Sequence, residues 1–425
     1  MNESFLYYIW QFQYFSKENL QTLEGESITI FNTGFLNTNA GPDFNQAKIK
    51  IGSIEWVGNV EIHRKASDWM LHKHSRDEAY NNVILHVVWE GDQLITRADG
   101  SMLPTLTLKG RVDENLLQRY GKLVNNASSI PCERSLPNIN PIKKISMLDN
   151  ALIQRLQAKA KSVDALLEDT LGDWQETTYR LMAKSFGFKV NADPFLQLAK
   201  SIPYKLIQKH QSSLLQIEAL LFGQAGMLET KTKDPYVTAL FQEYDFLSKK
   251  YSLQETRMHP SQWKFLRLRP ANFPTLRIAQ FASLLHSANL FSSVMEAISY
   301  SKLVEFFSTA PSHYWKTHYH FAKKSKGEVA GIGLSSKENI VINTIAPLWM
   351  AYGQAKDDQH FIDRAMEILQ HIPAENNKIT REWSVRGFTV KSAYDSQALI
   401  EQYTNFCKKR QCLNCEVGIS LLRPK

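Results

Sequence analysis

From Ser27 to Leu108 the chain is built of short runs in which apolar and polar residues alternate: SITIF, AKIKI, IEWVGNVEIH and NNVILHVVWEGD, with Gly, Asn and Asp between them. A period of two, broken by turn formers, predicts β-strands. The opening stretch MNESFLYYIWQFQYF predicts an aromatic amphipathic helix docked on this region. Beyond a loop at Ser128–Pro141, which holds three prolines and Cys132, the period changes. Segments such as MLDNALIQRLQAKAKSVDALLEDTL and LLQIEALLFGQAGML place apolar residues at i, i+3, i+4 and i+7, the stripe of a helix. Helical texture runs to about residue 310, and a glycine-containing stretch, Lys326–Ser335, precedes further helices. The expected fold is α+β: an N-terminal mixed β-rich domain, then a mainly α-helical region and a short cysteine-bearing C-terminal tail. Its divisions are expected at 1–127, a linker at 128–145, a helical domain at 146–310 and a second helical region at 311–425.

Composition narrows the class. At 425 residues the chain is long for one core, and 43% hydrophobic with 11% aromatic residues supplies real cores. No apolar run approaches the roughly 20 residues that span a bilayer. The start has no basic n-region and no small-residue cleavage site, so the expectation is a protein of the cytoplasm with no membrane partner. A net charge of +8 permits a polyanionic partner such as nucleic acid, although the 50 basic and 42 acidic residues are interspersed. There is no Walker P-loop, G-x-G-x-x-G, H-E-x-x-H or G-x-S-x-G, so no nucleotide cofactor and no serine hydrolase are expected.

The chemistry begins at Gly41. In GPDFNQAKIKIGSIEWVGNVEIH two β-like stretches flank a Gly-Ser turn at 52–53, a hairpin pattern. Asp43 shares parity with Ala47, Ile49 and Ile51, while Glu61 and His63 share one face of the second strand. A two-residue turn at 52–53 puts Asp43 and Glu61 on opposite faces; a three-residue loop, or one bulge, puts them together. Brought together, two carboxylates and an imidazole form a candidate site for a divalent metal, because the carboxylates repel unless a cation or proton compensates.

Pro42-Asp43 on one strand, followed across a hairpin by Glu61-Ile62-His63, resembles the PD-(D/E)xK nuclease superfamily. His63 stands where that family usually has lysine. The resemblance implies that Asp43 and Glu61 hold magnesium or manganese, with His63 as a pH-sensitive substitute for the lysine that positions water. A second resemblance covers nearly the whole chain. NTGFLNTNAGPDFNQAKI, GNVEIHRKASDWMLHKHSRDEAYNNVILHVVW, RLRPANFPTLRIAQFA, INTIAPLWMAYG and CLNCEVGISLL are similar to the bacterial family called domain of unknown function 2851. That family brings no assigned activity.

Four histidines, His63, His72, His74 and His86, crowd into this one short stretch of the chain. In extended backbone His72 and His74 project to one side, and with Glu61 or Asp43 they suit zinc, iron or manganese. Ser67-Asp68-Trp69 reads as a helix N-cap. His86, in VILHVVW, reads more readily as a core residue bonded to backbone. The four cysteines are Cys132, Cys407, Cys412 and Cys415, and the last three form C-x4-C-x2-C. In a reducing compartment that spacing favours zinc or an iron–sulfur cluster over disulfides. The nuclease resemblance also implies such a staple, since some members carry one distant cysteine and three near the C-terminus.

Arg267, Arg269 and Arg277, interleaved with Phe and Pro, are candidates for a phosphate-reading face; covering apolar surface is the commoner role of such arginines. His318 and His320 in HYWKTHYHF are candidates for base stacking, with core packing as the commoner outcome. Three readings follow: a metal-dependent phosphodiesterase acting on nucleic acid, a non-catalytic binding or scaffold protein, and a His/Glu metalloenzyme acting on a small substrate.

Overall fold

The computed structural model describes residues 2–97, 99–228 and 233–423. The β-rich region and the mainly helical region follow one another as the periodicity predicts. The chain divides into two compact units, Met1–Met147 with Gln402–Lys425, and Leu148–Glu401. The cysteine-bearing tail therefore belongs with the β-rich unit.

The first unit opens on helix α1 (Glu3–Gln11), capped by the Asn2 side chain, which accepts from the Phe5 N–H at 3.1 Å. Strands β1 (Ile28–Asn32), β2 (Phe35–Leu36), β3 (Phe44–Ile51) and β4 (Ile54–Lys65) follow. Helix α2 (Asp68–Leu71) and two 3-10 turns lead into β5 (Val83–Glu90) and β6 (Thr105–Thr107). The sheet order is β1-β3-β4-β5-β6, with β2 pairing beside β1 on β3. β1, β3 and β4 run antiparallel, whereas β5 is parallel to β4 and β6 to β5. A parallel neighbour needs a crossover, and here the crossover from β4 to β5 carries Trp69, His72, His74 and Tyr80.

One face of the sheet packs on α1. Phe5, Leu6, Ile9 and Trp10 meet Phe44, Ala47, Ile49, Val60, Ile62, Leu85 and Val87 in one buried cluster. Helix α3 (Glu114–Val124) adds Leu116 and Tyr120, whose ring stacks on Phe5 at 3.9 Å. The other face carries a smaller cluster of Ala66, Trp69, Val83, Val88, Ile95 and Leu103.

The hairpin register combines two features between which the sequence left a choice. The turn at 52–53 is two residues long, with Ile51 opposite Ile54, and Gly52 sits at φ +60°. Alone this would separate Asp43 from Glu61. Between Phe44 and Ala47, however, β3 bulges: Gln46 takes φ +59°, and the pairing shifts from Ala47↔Gly58 to Phe44↔Val60. Phe44 thereby joins the apolar face of Ala47 and Ile49, and Asp43 turns to the opposite face, across from Glu61. The parity expected for Asp43 is corrected by this one residue.

The second unit is helical. It includes most of α4 (Pro141–Asp169), and its buried cluster is rich in large side chains such as Phe186, Phe281, Trp315 and Trp349. Within it a short antiparallel ribbon, His318–His320 with Lys323–Lys324, holds the two histidines offered for base stacking. His318 is buried and stacked on Tyr314 at 4.0 Å, and the His320 ring lies against Phe265, so both serve packing.

A left-handed backbone at Gln46 costs an L-residue about 1–2 kcal/mol, most for a β-branched side chain and least for glycine. Gln46→Val is expected to lower unfolding free energy in urea by about that amount, while Gln46→Gly equals or exceeds the parent. Equal losses in the two variants would rule out the left-handed bulge as the register device.

Candidate metal centre

Asp43 and Glu61 are joined by a reciprocal pair of bonds. The Asp43 N–H donates to Glu61 Oε2 at 3.1 Å, and the Ile62 N–H donates to Asp43 Oδ2 at 2.9 Å. Each carboxylate thus takes the backbone donor that the bulged register offers it. The Tyr7 side chain of α1 lies close enough to Asp43 for the two to influence each other's protonation, so the docking helix also reaches the site. The same Tyr7 lines a cleft of about 920 Å³ together with Ser4, Gln11, Phe12 and Leu36.

The histidines close on the remaining oxygen. Glu61 Oε1 lies 3.5 Å from His63 Nε2 and 3.3 Å from His74 Nε2. His63 Nε2 stands 3.0 Å from His72 Nδ1, and His63 Nδ1 stands 2.9 Å from His86 Nε2. Among the described residues, His63, His72 and His74 are the one trio of His, Cys or carboxylate ligand atoms lying within 4.8 Å of one another. His72 and His74 do not meet through extended backbone as expected. His72 caps the C-terminus of α2, Lys73 turns left-handed at φ +62°, and His74 opens a 3-10 turn. The crossover folds both rings over β4. Ser67 does not cap α2 with its side chain; its hydroxyl donates to Asp92 at 2.7 Å. Asp68 accepts the Lys65 N–H instead.

Aromatic rings fix the trio. Tyr80 stacks on His74 at 3.8 Å, and Trp69 packs edge-on to His74 at 5.3 Å, its own N–H bonded to Ser75 Oγ. These rings, with Tyr7, were not singled out from the sequence. The spacing of Trp69 and Tyr80 to either side of His74 was the available signal. His86 is wholly buried, but its partner is His63 rather than backbone, and its Nδ1 has no hydrogen-bond partner.

Burial dominates the electrostatics of the cluster. Burial, reinforced by Asp43, pushes the Glu61 carboxyl up to about 9. Burial likewise raises Asp43 to about 6, against the lowering effect of nearby Tyr7 and of the bond from the Ile62 N–H. Burial and the neighbouring imidazoles hold His63 down to about 2 and His74 to about 4, and burial with His74 holds His86 to about 3. Protonation or a shared cation is what lets two buried carboxyls sit together.

The donor set fits a transition metal. It offers three imidazoles and one carboxylate oxygen, a set that suits zinc, iron or manganese better than magnesium. His74 Nε2 is buried, has no hydrogen-bond partner and faces Glu61 Oε1. His63 departs from the lysine-like role: both its nitrogens are engaged by His86 and His72, which makes it a ligand candidate rather than a free base. His72 is exposed at the mouth, so the site is open to solvent on that side.

Other sequence candidates lie elsewhere. Arg277 is buried in the second unit, over the Phe188 ring, and donates to Gln280, Asn272 and Ser336; it is a core residue, not part of a phosphate-reading face. Arg267 and Arg269 are exposed in that unit. Cys132, Cys407, Cys412 and Cys415 are free thiols in the first unit.

An α+β unit with a buried histidine–carboxylate cluster is the class that fold and site define. The chain belongs to the family described as "Protein of unknown function (DUF2851)", whose match covers residues 3–378. No curated protein and no solved structure matches the chain. No described helix is long and apolar enough to cross a membrane.

The histidine burial predicts an acid slope in the metal-free protein. With His86 held to about 3 against its ordinary 6.5, the unfolded chain binds the extra proton between those values. Stability is therefore full above pH 6.5 and falls below it, by about 1.4 kcal/mol per pH unit for each such histidine. Urea unfolding at pH 7, 6 and 5 is expected to show a shallower slope in His86→Gln than in the parent. Identical slopes would contradict a neutral buried His86.

Proposed function

We propose that this protein is a metal-dependent hydrolase in which Glu61, His63, His72 and His74 hold one divalent transition metal and the substrate is a nucleic-acid phosphodiester. The observation that carries the reading is the convergence of three imidazoles and Glu61 Oε1 from β4 and the crossover that follows it. When bound, the metal supplies Lewis-acid chemistry at a phosphoryl oxygen and lowers the pKa of a water it binds.

The chain's own groups have separable tasks. For His63 Nε2 to present its lone pair to a metal, its proton must sit on Nδ1, where His86 Nε2 accepts it at 2.9 Å; His86 thus fixes the tautomer. Glu61 is shared, with Oε2 anchored by the Asp43 N–H and Oε1 free toward the imidazoles. Asp43 Oδ2 is occupied by the Ile62 N–H, with Tyr7 nearby, which leaves Asp43 beside the ligands as the candidate proton acceptor. The nucleic-acid part rests on the Pro42-Asp43 and Glu61-Ile62-His63 pattern and on the net charge of +8.

Untagged protein, stripped and reloaded, is expected to bind one zinc, manganese or iron per chain, and His72→Ala and His74→Ala to lose it. Loaded protein is expected to cleave single- or double-stranded DNA or RNA. Asp43→Asn should keep the metal and lose roughly 10²-fold or more in rate, the usual weight of a general base. Folded protein that takes up no metal would refute the whole reading. Stoichiometric metal without cleavage of any nucleic acid would refute the substrate and favour a small phosphoester or a purely binding role.

A further inference from the structure

The cysteines form a second cluster, independent of the histidine site. Cys132 follows α3 in a loop, and the other three sit in the tail at the far end of the chain. Within the first unit they come together: Cys132 lies within electrostatic reach of Cys412 and Cys415, and Cys407 within reach of all three others. Cys407, Cys412 and Cys415 are buried, and all four are free thiols.

The surroundings hold this arrangement in place. The Gln402 amide donates to Cys415 Sγ at 3.3 Å and to Cys407 Sγ at 3.7 Å, orienting two sulfurs with one side chain. Backbone N–H groups of Val417 and Gly418 point at Cys415 from the first turn of the C-terminal helix, Glu416–Leu422. Gly418 is required there, because a Cβ at that position would collide with the Cys412 carbonyl oxygen. Arg410, left-handed at φ +57°, donates to the carbonyls of Ser128, Asn126 and Cys407 and ties the tail to the loop that leads to Cys132. Asn126 in turn donates to the Pro131 carbonyl at 2.9 Å, shaping the approach to Cys132.

Three buried thiols of the tail and a partly buried fourth from the loop after α3, with an amide donor at Cys407 and Cys415, match the requirements of a thiolate-ligated metal centre. Spacing decides which kind. A single zinc with bonds of about 2.3 Å draws its four sulfurs to about 3.8 Å from one another. No three of these sulfurs lie within 4.8 Å of one another, since the histidines are the one such trio among the described residues. A cluster spreads its four thiolates over several irons and accepts a wider frame, and N–H donors at the sulfurs are the usual setting for one.

We propose that Cys132, Cys407, Cys412 and Cys415 ligate one iron–sulfur cluster, which clips the C-terminal tail to the loop after α3. The cluster closes the long stretch of chain from Cys132 to Cys407, and each ligand enters as a thiolate, releasing its proton. Its place is structural, since these sulfurs are not among the ligands of the histidine site.

The test is anaerobic purification of the full chain, with iron, acid-labile sulfide and zinc measured per chain and reduced-state electron paramagnetic resonance recorded. The expected result is about four irons and four sulfides per chain, with the broad visible absorption of a cluster. Cys132→Ser and Cys412→Ser are each expected to lose the cluster. His72→Ala is expected to retain it, so that failure here and failure of the histidine site are told apart. If the cysteine variants fail to fold, parent apo-protein with reduced thiols, offered ferrous iron and sulfide, should regain the spectrum. Zinc at one per chain without sulfide would overturn the proposal. So would apo-protein with native helix content that takes up neither iron nor sulfide, or that forms disulfides among these thiols.

Discussion

The hairpin depends on the pair of backbone bonds that Asp43 and Glu61 exchange. Each carboxylate accepts a main-chain N–H from the other's strand, so the bulged register is stabilised by the residues it brings together. The left-handed Gln46 makes this possible. It turns Phe44 into the core beneath α1 and Asp43 out of it, and a strand without the extra residue would do the reverse. A local backbone penalty at one residue is thus offset by a buried aromatic on one face and a satisfied carboxylate on the other.

That geometry creates an electrostatic demand. Asp43, Glu61, His63 and His74 sit where burial dominates, so the two acids are pushed toward protonation and the two imidazoles held neutral. A divalent cation would reverse the preference of the two carboxyls, stabilising them as carboxylates, and would use the lone pairs of imidazoles already held neutral. His86 and Tyr80 make sense in that light: one fixes a tautomer from beneath, and the other holds a ring in place by stacking. The cysteine cluster answers a different demand, the anchoring of a tail that returns to the first unit after the whole helical unit, Leu148–Glu401, has intervened.

The sequence by itself determined the classes of element and most of the chemistry. Period-two runs marked the strands, the 3.6-residue stripe marked the helices, and Asp43, Glu61, His63, His72 and His74 stood out by type and closeness. It also marked three of the four cysteines as a set, because C-x4-C-x2-C is a local pattern. Whether Asp43 faced Glu61 was beyond it, since turn length and bulge have opposite effects on parity and the Gln46 conformation depends on which faces are buried. The meeting of His72 with His74 was decided by a left-handed Lys73 and by a crossover whose path only a parallel β5 requires. Arg277 gave no sequence sign of its burial, because an arginine among Phe and Pro reads the same on a surface as in a core. Cys132 joins its partners through Arg410 and Asn126, contacts between residues up to 284 positions apart. Such pairings follow from packing the whole unit, and no local pattern encodes them.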